Sequence, residues 1–209
     1  MTQGVLWPEP DSVDPSVWIE FDDVQRALAR LDVPLNVLMQ ALQEGRASLN
    51  SRTLYDAPTA PGYYQWNECV RSLSEQLVPQ GWLRTNDANQ PLLTHPQRRL
   101  VMIVNSGNRY VGDPETPPTT KCPKKHNHRQ VIRSNNRQLD LFPCPVWFLL
   151  YSAESGELRS ELSLPMGLTT LTAKSSTIAG DSLVTQRLFC FIAVALRTLM
   201  ALPVLHSLH

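Results

Sequence analysis

Apolar residues recur at helical spacing over the first third of the chain and later fall into short unbroken runs, so helices should precede strands. From Val17 to Leu31, the positions Ile19, Val24, Ala27, Leu28 and Leu31 form one stripe, with Asp22 and Asp23 where a helix N-terminus favours acids. Pro34 suits the first turn of a second helix carrying Leu35, Leu38, Met39 and Leu42, and Gly45 is placed to end it. The tight Asp32-Val33-Pro34 joint has the outline of a helix-turn-helix. Its second helix carries no Arg or Lys before Arg46, however, and would read base edges poorly. Residues 47–62, with Pro58, Pro61 and Gly62, read as a linker. A third helix is expected from Tyr63 to about Val78 on the stripe Trp66, Val70, Leu73 and Leu77, stopped by Pro79-Gln80-Gly81.

Beyond Gly81 the period changes. Trp82-Leu83-Arg84-Thr85 and Pro91-Leu92-Leu93-Thr94 are strand-like pieces around the turn string Asn86-Asp87-Ala88-Asn89. The run Leu100-Val101-Met102-Ile103-Val104 predicts a buried central strand that breaks at Asn105-Ser106-Gly107-Asn108. Residues 109–125 carry four prolines and read as a long exposed loop, followed by a helix from about His126 to Gln138 on Val131 and Ile132. Val146–Tyr151 and Glu157–Leu164 bracket Glu154-Ser155-Gly156 as an antiparallel hairpin. Leu158, Glu161 and Ser163 do not alternate cleanly, which leaves its register open. Leu188–Leu205, interrupted by Arg197, Thr198 and Pro203, reads as a packed amphipathic helix. It is short for a span, and a central Arg costs roughly 2.5–3.5 kcal/mol on insertion scales. Between 166 and 209 there is a single acid, Asp181, a break in style from what precedes it. The resulting expectation is an α+β fold: N-terminal helices, then a small mixed or antiparallel sheet with an inserted helix. It divides into a helical segment and linker (1–62), a core (63–166) and an apolar tail (167–209).

Composition narrows the class without naming a chemistry. The 209 residues carry 19 basic and 19 acidic side chains, and charged residues make up 18%, below the roughly 25% of ordinary soluble domains. Coiled coils, polybasic tails and acidic solvating chains are thereby excluded. The four cysteines, at 69, 122, 144 and 190, do not make a small disulfide scaffold. Met1–Pro8 lacks the basic and apolar regions of a signal peptide, so a cytoplasmic protein with reduced thiols is expected. The neutral total hides a polar layout. Residues 1–32 hold seven acids and two bases, whereas 98–137 hold nine bases against Asp113 and Glu115, a net of +7. Such asymmetry points to an anionic partner, unless the two segments neutralise each other in the fold.

The richest candidate site is the end of the central strand together with the basic stretch after it. Ser106, Gly107 and Asn108 form a place where backbone can approach a ligand, because Gly107 removes the Cβ obstacle. Arg109, Lys121, Lys124, Lys125, Arg129 and Arg133, with Thr119 and Thr120, supply donors for phosphate or a nucleic-acid backbone. Neither a Walker loop nor a dinucleotide fingerprint is present. Cys122, His126, His128 and Cys144 match no common zinc spacing, so no metal site is expected. Asp113 and Glu115 with Lys121 loosely have the makings of a metal-dependent nuclease triad, but in a Pro-rich loop. Cys69, on the apolar side of the third helix, reads as inert core.

Several strings together carry a resemblance: Val70–Trp82, Ser106-Gly107-Asn108 with Gly112, Pro118–Lys121, Asn136–Phe142 and Glu161–Pro165. Over about residues 66–165 the chain resembles poorly characterised proteins of conjugative plasmids and integrative elements. Where those usually have Lys-Gly after the threonines, this chain has Lys124-Lys125. The setting is similar to that of plasmid fertility-inhibition proteins of the oncogenic-suppressive type, which have a ParB/sulfiredoxin-like fold. That resemblance implies action on conjugative DNA transfer, and nucleotide or DNA cleavage with it. The expectation is therefore an accessory protein of a mobile genetic element that binds nucleic acid, DNA rather than RNA, or phosphate groups. A component of a DNA-transfer apparatus is a further expected partner, and a membrane is not. A metal- or nucleotide-dependent nuclease and a protein-interaction module using the acidic N-terminal arm are the alternatives. No cofactor is indicated.

Overall fold

Three helices lie together on one face of a seven-stranded mixed sheet, an α+β architecture. The computed structural model describes residues 17–87, 89–97, 100–120, 144–153, 157–170 and 181–190, with 166–170 and 181–190 described by backbone alone. In chain order these give β1 (Val17–Trp18), α1 (Phe21–Leu31), α2 (Leu35–Ser48), a 3-10 turn at Leu49–Ser51 and α3 (Ala60–Leu77). A second 3-10 turn (Val78–Gln80) leads to β2 (Leu83–Asp87), β3 (Gln90–Thr94), β4 (Val101–Ser106), β5 (Val146–Ser152), β6 (Arg159–Thr170) and β7 (Asp181–Cys190). The strands lie in the order β1-β7-β6-β5-β4-β3-β2. Neighbours are antiparallel except β4–β5 and β1–β7, which are parallel. Among the described residues no helix is long and apolar enough to cross a membrane.

Three helix boundaries differ from the periodicity reading. Val17–Trp18 pairs with β7 instead of opening α1, which begins only at Phe21. Gly45 does not end α2, which runs on to Ser48 and consumes the start of the expected linker. The reason is tertiary. A Cβ at Gly45 would stand 2.2 Å from Cys69 Sγ and 2.9 Å from the Gln65 carbonyl oxygen, so this glycine is the point of closest approach between α2 and α3. α3 begins at Ala60, with Pro61 in the first turn where its missing N–H costs nothing. Gly81, at φ 92°, closes the helix end and its N–H donates to the Val78 carbonyl.

The close α2–α3 contact buries Cys69 completely. Burial, with the Glu68 carboxylate adding, pushes its thiol up to about 12 from an ordinary 9.0. An acid raised in the folded state ionises first in the unfolded chain, so this thiol's contribution to stability is intact below pH 9 and lost between pH 9 and about 12. At pH 8, iodoacetamide should leave Cys69 unmodified in buffer and label it in urea, as read by peptide mass spectrometry. Equal labelling in both would contradict the burial.

The central strands β4 and β5 are covered on both sides, and strand alternation sorts the two layers. Met102 and Val104 of β4, Trp147, Leu149 and Tyr151 of β5, and Leu162 and Leu164 of β6 join the helices in the main core. Ile103, Phe148, Leu150 and Val146 face the other way and pack with Val111 from the segment after β4. β5 is accordingly buried at all seven positions.

The β2–β3 hairpin hangs from β4 by two register positions, Leu93↔Met102 and Thr94↔Val101. Continued, that register sets Pro91 opposite Val104, and Pro91 has no N–H to donate. The Trp66 indole N–H fills the place, donating to the Val104 carbonyl at 3.2 Å. At the opposite end, His95 is buried between Trp82 and Asp32. Its Nδ1 accepts the Gln97 N–H at 3.1 Å, so the proton sits on Nε2, which donates to Asp32 Oδ2 at 3.2 Å.

The C-terminal reading also changes. Leu188–Cys190 belongs to β7, a strand paired along ten positions with β6, rather than to a helix; residues 191–205 lie outside the described residues. The expected helix at 126–138 also lies outside them.

Candidate functional site at the carboxyl end of the parallel pair

β4 and β5 run side by side from Val101↔Val146 to Ser106↔Tyr151, so both strands empty at the same edge. Parallel neighbours require a crossover, and this one, from 107 to 145, carries the candidate site. Its first part is not the open loop that its prolines announce. Val111 is fully buried, Thr120 is buried, and Gly107 forms an antiparallel bridge with Thr120.

Each turn of this segment is held by a specific side chain. Gly107 N–H donates to the Tyr151 carbonyl at 2.8 Å, continuing the ladder one step past β4. A Cβ at Gly107 would meet Val111 Cγ2 at 2.3 Å, so the backbone here can fold directly over the valine plug. Asn108 Oδ1 accepts the N–H groups of Tyr110 and Thr119, each at 3.2 Å, tying the two ends of the loop together. Asp113 Oδ1 accepts the N–H groups of Glu115 and Thr116 at 2.9 and 3.0 Å. That carboxylate, half of the expected nuclease pair, therefore caps a turn. Among the described residues no three His, Cys, Asp or Glu side chains gather as a metal site.

A further tie comes from β6, from a residue that the sequence offers in the string Glu161–Pro165 but without a role at this site. Glu161, in β6 and aligned across Leu150 with Asn105, is completely buried. Its Oε2 accepts the Gly112 N–H at 2.8 Å, and its Oε1 accepts the Ser163 hydroxyl. A carboxylate in an apolar layer is tolerated only when hydrogen-bonded, and these bonds latch the loop to the sheet. Ser152, ending β5 on the same sheet face, is buried as well.

Of the expected phosphate-binding residues, Ser106, Gly107, Asn108 and Arg109 come together at this edge. Gly107 and Asn108 serve the loop's own hydrogen bonds. Arg109 is exposed, with its guanidinium 4.9 Å from the centre of the Tyr110 ring and its Nη2 donating to the Tyr110 hydroxyl at 2.8 Å. Lys121, Lys124, Lys125, Arg129 and Arg133 lie outside the described residues, as does the acidic arm before Val17. The neighbouring Tyr151 phenol, on the helix side, is pushed up by burial and, to a smaller degree, by the Cys69 thiol; it is a packing group at neutral pH.

The helix layer contributes to the same edge. Trp66 touches Val104, while the far end of α3 reaches Trp82 through the Leu77 carbonyl, and Leu83 pairs with Thr94, next to Val101. α3 thus runs antiparallel to β4, and its first turns, with Tyr63 and Tyr64, lie at the end where the loop departs. Comparison with family models, with characterised proteins and with solved structures yields no match to this chain.

Proposed function

We propose that the chain binds nucleic acid through its phosphates, using the segment from Ser106 to Arg133. The observation that carries this reading is the latched loop: Glu161 and Asn108 hold it so that Arg109, stacked on Tyr110, stands exposed just before the most basic stretch of the chain. A cation on a fixed base loses little freedom on meeting a phosphate, and Arg presents a planar fork to it. A neutral whole-chain charge does not oppose this, because salt screens distant acids and leaves the charges nearest a bound phosphate to act. For its setting, the resemblance over residues 66–165 supports an accessory role in a mobile element, with inhibition of conjugative transfer as the outcome a mating assay would read.

Fluorescence anisotropy with a labelled oligonucleotide across a salt series tests the binding. Affinity should fall steeply as salt rises. Replacing Lys121, Lys124 and Lys125 together by Ala should weaken binding and reduce the log–log salt slope by about 2–3. Unchanged affinity in that variant would remove the reading. Incubation of the DNA with Mg²⁺ should leave it intact, and cleavage abolished by EDTA would favour the nuclease alternative instead.

A further inference from the structure

The carboxyl end of β5 holds a polar group that the fold itself does not use. Ser152 is 5% exposed, yet its hydroxyl has no hydrogen-bond partner among the described residues. A hydroxyl buried in this way weakens a fold unless something supplies the missing partner, so it points to a ligand. Its neighbours come from the strands on either side. Gly107, one step beyond β4, lies alongside it: the Gly107 N–H donates to the Tyr151 carbonyl at 2.8 Å, and a Cβ there would stand 3.9 Å from Leu150 Cβ. Arg159, the first residue of β6, is the cross-strand partner of Ser152. Residues opposite each other in an antiparallel pair share a face, with Cβ atoms about 4.5–5.5 Å apart, so the Arg159 side chain has Ser152 within reach.

The Arg159 guanidinium is held loosely. Its side chain is 41% exposed, and its ion pair with the exposed Glu157 is 3.9 Å long. Glu161, one row further into the sheet on the same face, engages its two oxygens with the Gly112 N–H and the Ser163 hydroxyl. Arg109 stands on the turn that leaves these strand ends, a turn closed by the Val111 N–H donating to the Asn108 carbonyl at 3.1 Å. The loop, β5 and β6 therefore present a cation, a hydroxyl and a second cation in that order. A tetrahedral oxyanion carries oxygens in several directions and can accept from a hydroxyl and a guanidinium together. We infer that Ser152 and Arg159 form a subsite for one phosphate group beside Arg109. The inference rests on the phosphate-binding reading and extends it to two sheet residues outside the basic segment 98–137. Such a phosphate belongs to the interior of a nucleic-acid chain or to its end, and the two are separable.

Anisotropy with the full chain tests it, using one labelled oligonucleotide with a 5′-phosphate and the same strand with a 5′-hydroxyl. Ser152→Ala should weaken binding by about 10-fold or more, the loss of a hydrogen bond to a charged group. Its salt slope should stay native, since no charge is removed. Arg159→Gln should weaken binding and lower the log–log salt slope by about 1. Stability moves the other way: removal of an unpartnered buried hydroxyl should leave the melting temperature of Ser152→Ala at or above the native value. A lower one would show that the hydroxyl has a partner inside the protein and would overturn the inference. Weakening confined to the 5′-phosphorylated strand, with inorganic phosphate competing, assigns the subsite to a chain end. Equal weakening of both strands assigns it to an internal phosphodiester. If both variants bind as the native protein does while Arg109→Ala binds less, the subsite is refuted and phosphate binding by the loop stands. If the native protein binds neither strand, both readings fall.

Discussion

Gly45→Ala should lower the unfolding free energy by about 1–3 kcal/mol, the cost of forcing an extra methyl into a packed interface. The sign is the informative part. In an exposed helix interior the same change stabilises by about 1 kcal/mol, because glycine loses more backbone freedom on folding. Here the new Cβ meets Cys69 Sγ at 2.2 Å and the Gln65 carbonyl oxygen at 2.9 Å. The thiol can be trimmed, whereas the carbonyl belongs to the α3 backbone and moves only with the helix. Cys69→Ala added to Gly45→Ala should therefore restore part of the loss and leave a remainder. The two changes should couple by at least about 0.5 kcal/mol in a double-mutant cycle. Urea midpoints at constant m-value supply the measurement. A Gly45→Ala protein as stable as the native one would mean that α2 and α3 do not touch at this point.

Gly45 also shows where reading the chain stops short. Periodicity locates all three helices, because each buries a stripe against the same core, but local propensity alone makes Gly45 a helix end. Its use depends on Cys69, twenty-four residues away, and no window along the chain contains both. The strands are legible for the same reason as the helices. Val101–Val104 and Val146–Tyr151 are continuous apolar runs, and each is buried on both faces of the sheet. The loop after β4 misleads because four prolines and several charges look solvated, while one valine, Val111, plugs the layer beneath it. Glu161 is hidden in a subtler way. Leu158, just before β6, and Leu162 and Leu164 within it join the helix-side core, which puts Glu161 and Ser163 on the other face, whereas the sequence alone leaves this register open. That side is roofed by the loop itself, which no pattern within β6 can reveal. The end of the chain obeys the same rule: the loss of acids after residue 166 does not coincide with a break in the sheet, since β6 continues to Thr170 and β7 pairs with it.

Glu161→Ala should release the loop rather than unfold the protein. The substitution removes a buried charge, which favours the variant, but strips the Gly112 N–H and the Ser163 hydroxyl of their acceptor. Each buried donor left without a partner costs about 1–3 kcal/mol. Ser163 can turn its hydroxyl elsewhere, whereas the N–H of half-buried Gly112 is fixed by the backbone and gains a water partner most readily when the loop lifts. Local opening is thus the cheaper response. Hydrogen exchange at the Gly112 amide should speed up by about 10-fold or more, while amides in β4 and β5 keep their protection. Glu161→Gln retains one carbonyl oxygen for Gly112 and should fall between the two. The loop carries Arg109 and Tyr110, so its release should weaken oligonucleotide binding in the same order: native, then Gln, then Ala. Slow exchange at Gly112 in the Ala variant would show that Val111 and the Gly107–Thr120 bridge hold the loop unaided. Binding unaffected by a released loop would instead separate Arg109 from recognition, because a cation that contributes equally from a mobile segment gains nothing from a fixed base.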